Sequence, residues 1–132
     1  MTPRELMTAY LAAAKRGDWD TAFGYFADDI AMRVPGRSQF AGEHRGKAAA
    51  MRYIDAIRRH YGEAGIELEL LDMLSSEDRV ALLVCERFHG EGPPREIRRA
   101  NVYRVRDGAI VEITIFEGDQ YTVDEMLHRH AG

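Results

Sequence analysis

Hydrophobic residues in this chain follow one spacing before Gly65 and another after it. Up to Tyr61 they recur every three or four positions, the period of a helix with one buried face. Thr2-Pro3-Arg4-Glu5 forms a capping box with proline in the first turn, and Leu6, Met7, Tyr10, Leu11 and Ala14 make an apolar stripe that ends at Gly17. Asp18 opens a second predicted helix, with Trp19, Ala22, Phe23 and Phe26 on one face and Asp28-Asp29 at its end. A short extended piece, Ile30 to Val34, stops at Pro35-Gly36, and a glycine-dotted loop runs to Gly46. Lys47 to Tyr61 is a third helix, with Ala50, Tyr53, Ile54 and Ile57 inward, broken by Gly62 and Gly65.

From Ile66 the apolar residues alternate, the period of a half-buried strand. Strands are predicted from Ile66 to Ser75, from Arg79 to His89, and on either side of a tight turn near Asp107-Gly108. The tail from Tyr121 returns to helical spacing at Val123, Met126 and Leu127. Helices followed by antiparallel strands give an α+β fold: three N-terminal helices packed in the concave face of a strongly curved, mainly antiparallel sheet. Arg99, Asn101, Tyr103 and Glu117 interrupt the inner face of the last strand pair. A cone that its helices do not fill explains them as the lining of a pocket.

Composition narrows the class. With 132 residues, 45% of them apolar and 30% charged, the chain reads as a single domain spanning 1–132 with a real core. A net charge of −4, with arginines interleaved among acids, argues against nucleic acid. No apolar run approaches the roughly 20 residues that span a bilayer. The charged N-terminus lacks a secretory apolar stretch, so a cytoplasmic location is expected. Cys85 is the only cysteine, and within Val80–Phe88 it reads as a buried, inert thiol. His128 and His130 have no visible further ligands, so no metal is expected.

Residues 10–36, 40–54 and 101–127 carry the spacings G-D-x-x-x-A, F-A-D-D, P-G, G-x-x-x-G and R-D-G-x-I-V-E. In these the chain resembles the SnoaL-like group of the NTF2-like (cystatin-like cone, ketosteroid isomerase-like) superfamily. The resemblance implies the cone fold. It leaves activity open, because the superfamily holds isomerases, epoxide hydrolases, polyketide cyclases, dehydratases and members without catalysis.

Which residues look into the cone depends on the last hairpin. A two-residue loop at Asp107-Gly108 pairs Arg106 with Ala109, whereas a three-residue loop pairs Val105 with Ala109. The three-residue loop is preferred here, because it gathers Arg99, Asn101, Tyr103 and Val105 on one face with Val111, Ile113, Ile115 and Glu117. It also sets Glu117 diagonally across from Arg99.

The resemblance then implies roles residue by residue. Tyr10 and Asn101 match the oxyanion-holding pair of ketosteroid isomerases, but Val34 stands where their base would be, which disfavours steroid isomerisation. Arg99 and Glu117 resemble part of the Asp-Arg-Asp cluster of limonene-type epoxide hydrolases, with Asn101 in place of the second acid. SnoaL-type cyclases use an acid near the end of the last strand, a place open to Glu117 or Asp119. Tyr53, Tyr103, Met32, Val34, Ile113, Ile115 and His44 would line the pocket. The implied function is cofactor-free acid/base chemistry of isomerase, cyclase, dehydratase or hydrolase type on a small apolar, oxygen-bearing metabolite. A ligand-binding or dimerisation module, with Arg99 and Glu117 as a structural ion pair, stands beside it. Relatives commonly pair through the convex sheet face, expected to show Ala100, Val102, Ile110, Thr114 and Phe116 within a rim of Arg98, Arg104 and Glu112. A homodimer is therefore expected.

Overall fold

The computed structural model describes residues 1–61, 66–89, 93 and 95–131. Four helices and six strands lie among them: α1 (Pro3–Lys15), α2 (Trp19–Phe23), β1 (Phe26–Val34), β2 (Gly42–Arg45), α3 (Lys47–Tyr61), β3 (Ile66–Ser75), β4 (Arg79–Phe88), β5 (Arg95–Arg106), β6 (Ala109–Glu117) and α4 (Gln120–Ala131). The strands form one curved sheet in the order β2-β1-β6-β5-β4-β3, antiparallel throughout except between β1 and β6. The expected α+β architecture is present. Gly62 and Gly65, and most of the turn from Gly90 to Pro94, lie outside the described residues.

Helix α1 starts at its capping box: Thr2 accepts from the Glu5 N–H (3.1 Å), and Glu5 accepts from the Thr2 N–H (3.0 Å). Its buried face, Leu6, Met7, Tyr10 and Ala13, meets Val80, Leu82, Val84, Tyr103, Ile110 and Ile113 from the sheet in one core. A second cluster lies under α4, where Val123, Met126 and Leu127 pack with Phe88 and Ile97, flanked by Phe40 and Ile57. Helix α4 is thus fastened over one end of the cone.

Two expected boundaries are corrected. The second helix ends at Phe23, and Phe26, Asp28 and Asp29 belong to β1. The spacing of Trp19, Ala22, Phe23 and Phe26 imitates a helix, but the Ile110 N–H binds the Tyr25 carbonyl (2.7 Å) and draws the chain into the sheet. Residues 42–45, expected as loop, form β2. That four-residue edge strand is almost wholly exposed and carries no alternating signal.

The hairpin is corrected as well. Asp107 (φ 53°) and Gly108 (φ 75°) make a two-residue turn with both φ positive, the type I′ geometry, and Arg106 faces Ala109. That turn alone would invert the faces of β6. A bulge at Val111 inverts them back: Val105 pairs with Ile110, but Arg104 pairs with Glu112. Arg99, Asn101 and Tyr103 therefore share the inner face with Ile113, Ile115 and Glu117 as expected, while Glu117 stands directly opposite Arg99 rather than diagonal to it. Ile110, expected on the convex face, is wholly buried in the core.

Candidate functional site

Inside the cone, Arg99 on β5 is gripped from both sides. Its Nε donates to Glu117 Oε1 on β6 (2.8 Å), and its Nη1 donates to Glu86 Oε1 on β4 (2.5 Å). The side chains are nearly withdrawn from water, at 15% exposure for Arg99, 16% for Glu86 and 7% for Glu117. Burial disfavours the charged carboxylate and raises the pKa of Glu117 above the usual range. Arg99 opposes that shift by charge and hydrogen bond, whereas Glu86 and Asp124 reinforce it. Burial also works against the guanidinium, but Glu86 and Glu117 outweigh it and hold Arg99 more firmly protonated than usual. Two carboxylates share one cation here, and burial lifts the proton affinity of Glu117.

Glu86 is absent from the sequence-based expectations. It lies on the inward parity of β4, after Val80, Leu82 and Val84, where a charge interrupts the apolar row just as Arg99 does on β5. The same reasoning applied to β4 finds it. Asp124 is absent too, since its place follows from helix docking: its Oδ1 accepts from the Arg37 N–H (3.2 Å) and from Gln120 Nε2 (3.0 Å). This ties α4 to the loop after β1, and the fit is close. A Cβ on Gly36 would run into the side chains of Gln120 and Asp124.

Further along β5, Asn101 occupies an inner row between Leu82 and Ile115. Its Oδ1 is buried without a hydrogen-bond partner among the described residues. An orphaned acceptor of this kind costs about 1–3 kcal/mol when nothing donates to it. Burial lifts Tyr103 to about 12, with a further push from Glu86 and a small pull from Asn101. Tyr10, from α1, stacks on Phe26 at 5.8 Å and lies 6.1 Å from the Tyr103 ring. Burial, then the neighbouring Tyr103, pushes its phenol far up, so both hydroxyls keep their protons at any ordinary pH.

The remaining expected residues divide. Met32 and Ile113 are buried neighbours across β1 and β6, and Ile115 and Val34 pack at the edge of the same core. Tyr53 on α3 lies with its ring 5.0 Å from His44 and feels the charge of Arg99. His44 is not in a loop: it sits half-buried on β2, and its Nε2 donates to the Phe40 carbonyl (2.8 Å). Asp119 lies apart from the cluster. It is exposed and caps α4, accepting from the Thr122 N–H (3.1 Å) and Oγ1 (2.7 Å), which lower its pKa. Cys85 is buried on the outer parity of β4, and burial raises its thiol pKa. Among the described residues no three His, Cys, Asp or Glu side chains converge at metal-binding spacing, and the side chains of His128 and His130 lie outside the description.

Curved sheet, enclosed helices and a charged inner row together define a cystatin-like, NTF2-like cone. Three solved structures carry the same fold. One is a protein with a cystatin-like fold from Xanthomonas campestris, 25% identical, with a TM-score of 0.85 over 96% of this chain and 98% of that one. Another is Bal32a, from a soil-derived mobile gene cassette, 25% identical, with a TM-score of 0.84 over 94% and 95%. The third is an NTF2-like protein from Burkholderia pseudomallei, 17% identical, with a TM-score of 0.80 over 94% and 95%. No curated protein matches the chain. The family model described as a SnoaL-like domain matches residues 7–113, and the chain belongs to that family. No helix among the described residues is long and apolar enough to cross a membrane.

Proposed function

We propose that this protein is an enzyme that moves a proton on a small, apolar, oxygen-bearing molecule held in the cone, with Glu117 as the transferring group and no cofactor. The observation that carries the reading is the near-complete burial of Glu117 beside a guanidinium that it shares with Glu86. A carboxyl whose proton affinity is raised by burial is better suited than an exposed one to hold and pass on a proton. Arg99 orients it, Glu86 fixes Arg99, and Tyr10 and Tyr103 supply neutral phenol donors for an oxygen that gains charge. Isomerisation, cyclisation, dehydration and hydration all need this set. Asp119 is left out, because both its oxygens are engaged in capping α4.

Screening ketones, epoxides and polyketide-like aromatics by thermal shift would supply a substrate, since a bound ligand raises apparent stability. Glu117→Gln should then lower turnover by roughly 10²–10⁴-fold while still binding. Full turnover in that variant would refute the assignment. An ordinary Glu117 pKa by carbon-detected NMR would favour a binding module instead.

The proposal includes a homodimer through the convex face. Leu74 and Phe116 are exposed there, Leu74 in register with Ala81 and Val102, and Phe116 with Ala100 and Leu83. Ion pairs flank this stripe on both sides, Arg104 with Glu112 and Asp78, and Arg87 with Glu69 and Glu96. An apolar centre with a charged margin suits a two-fold interface. A monomer at micromolar concentration in the ultracentrifuge would rule it out.

A further inference from the structure

We propose that α4 is a lid over Glu117, swinging out as a unit about Gly118-Asp119 to let the ligand reach the acid. The inference rests on the preceding reading, since it takes Glu117 as the group a ligand must touch. That side chain is nearly closed off from water. Toward β4, Arg99 stands directly opposite it and is held there by Glu86. On its own strand, Ile115 packs against the main core. On the other flank β1 has ended at Val34, and the chain that follows, Gly36-Arg37, is pinned against Gln120 and Asp124 of α4. The first two covers belong to the sheet and the main core, whereas no described residue of α4 does. Val123, Met126 and Leu127 pack instead in a separate cluster on Phe88 and Ile97, and Ile97 is the cross-strand partner of Glu86. Helix α4 can therefore undock without unpacking the main core, and its departure uncovers the end of the sheet that carries the charged row. Its polar ties are exposed ones, Asp124 to the Arg37 N–H (3.2 Å) and Glu125 to Arg95 (4.0 Å), and such ties are weak. The pivot is fixed on its sheet side, where the Gly118 N–H bonds the Arg98 carbonyl (2.8 Å).

Thiol labelling reads this motion without any ligand. Ile97→Cys sets a reporter under α4 and Glu117→Cys sets one at the acid, while the native Cys85, buried on the outer parity of β4, gauges opening of the whole protein. With a small disulfide reagent and peptide mass spectrometry, both reporters should react about 100-fold faster than Cys85. Asp124→Ala should quicken both by about five- to ten-fold and leave Cys85 unchanged. Reporters as slow as Cys85, a Glu117→Cys thiol indifferent to Asp124→Ala, or all three thiols quickened alike would overturn the proposal. Hydrogen exchange on the unaltered chain covers the case in which a reporter variant fails to fold. The amides of Val123, Met126 and Leu127 should exchange together and well ahead of those of β4 and β5; exchange in step with the sheet would overturn the lid. Neither measurement involves turnover, so a failure here leaves the acid/base role of Glu117 standing. Full turnover in Glu117→Gln would in turn leave the motion of α4 intact.

Discussion

Replacing Arg99 by methionine tests the electrostatic account of the site most directly. The substitution keeps the apolar stem of the side chain but removes the cation that Glu86 and Glu117 share. Two nearly buried carboxylates are then left facing each other, and removing one partner of a buried pair costs about 3–5 kcal/mol. At roughly 4 °C per kcal/mol for a chain of this size, the melting temperature should fall by about 12–20 °C. The pH dependence fixes the cause. Glu117 holds its proton more tightly folded than unfolded, so its pKa lies above the ordinary 4.5 in the native state. Such a group costs stability at a pH above its native pKa, and the cost fades as pH falls through that value toward 4.5. Arg99 is the group that opposes the rise, so without it the rise is larger and the window wider. The deficit of Arg99→Met, measured by urea unfolding, should therefore shrink steadily as pH falls from neutrality toward the ordinary 4.5. Adding Glu117→Gln should recover part of it, with a coupling of about 0.5–3 kcal/mol. A loss below about 1 kcal/mol, the size of an exposed pair, or a deficit that ignores pH would refute the reasoning.

Three further outcomes are expected. Asp119→Ala should cost about 1 kcal/mol through loss of the α4 cap and leave ligand binding unchanged, as a thermal-shift titration would show. Gly36→Ala should cost about 1–2 kcal/mol or more in urea unfolding, because φ is +102° there and the new methyl meets Gln120 and Asp124. Cys85, buried with a raised pKa, should react with a disulfide reagent only as fast as the protein opens; immediate labelling of the native protein would contradict its placement.

What the chain reveals before it is folded depends on how local each signal is. The capping box of α1, the stripe of α3 and the long strands β3 to β6 are written in periods of a few residues, and they stand where those periods put them. Phe26 departs from its helical spacing because a strand bond from Ile110, far along the chain, overrides it. Strand β2 is too short and too exposed to carry a pattern. Arg99, Asn101 and Glu117 stand out as polar interruptions of an apolar face, and Glu86 does so under the same test. Asp124 cannot, since only the docking of α4 on the loop at Gly36-Arg37 brings it near Glu117. The choice between Glu117 and Asp119 also depends on the folded chain, because the acids are two residues apart and only one side chain turns inward.

The paired irregularities of the last hairpin have a consequence for anyone editing this sequence. The tight bend at Asp107-Gly108 and the extra residue at Val111 each reverse the sidedness of the ribbon beyond them, and only together do they cancel. Were Val111 drawn into the regular ladder opposite Arg104, each later residue would slip by one place, sending Phe116 to the concave face and Glu117 to the back of the sheet, whereas deleting it would leave Glu112 opposite Arg104 and the later faces unchanged. A rearrangement to a three-residue turn, by contrast, would keep the inner face only if the bulge were lost with it.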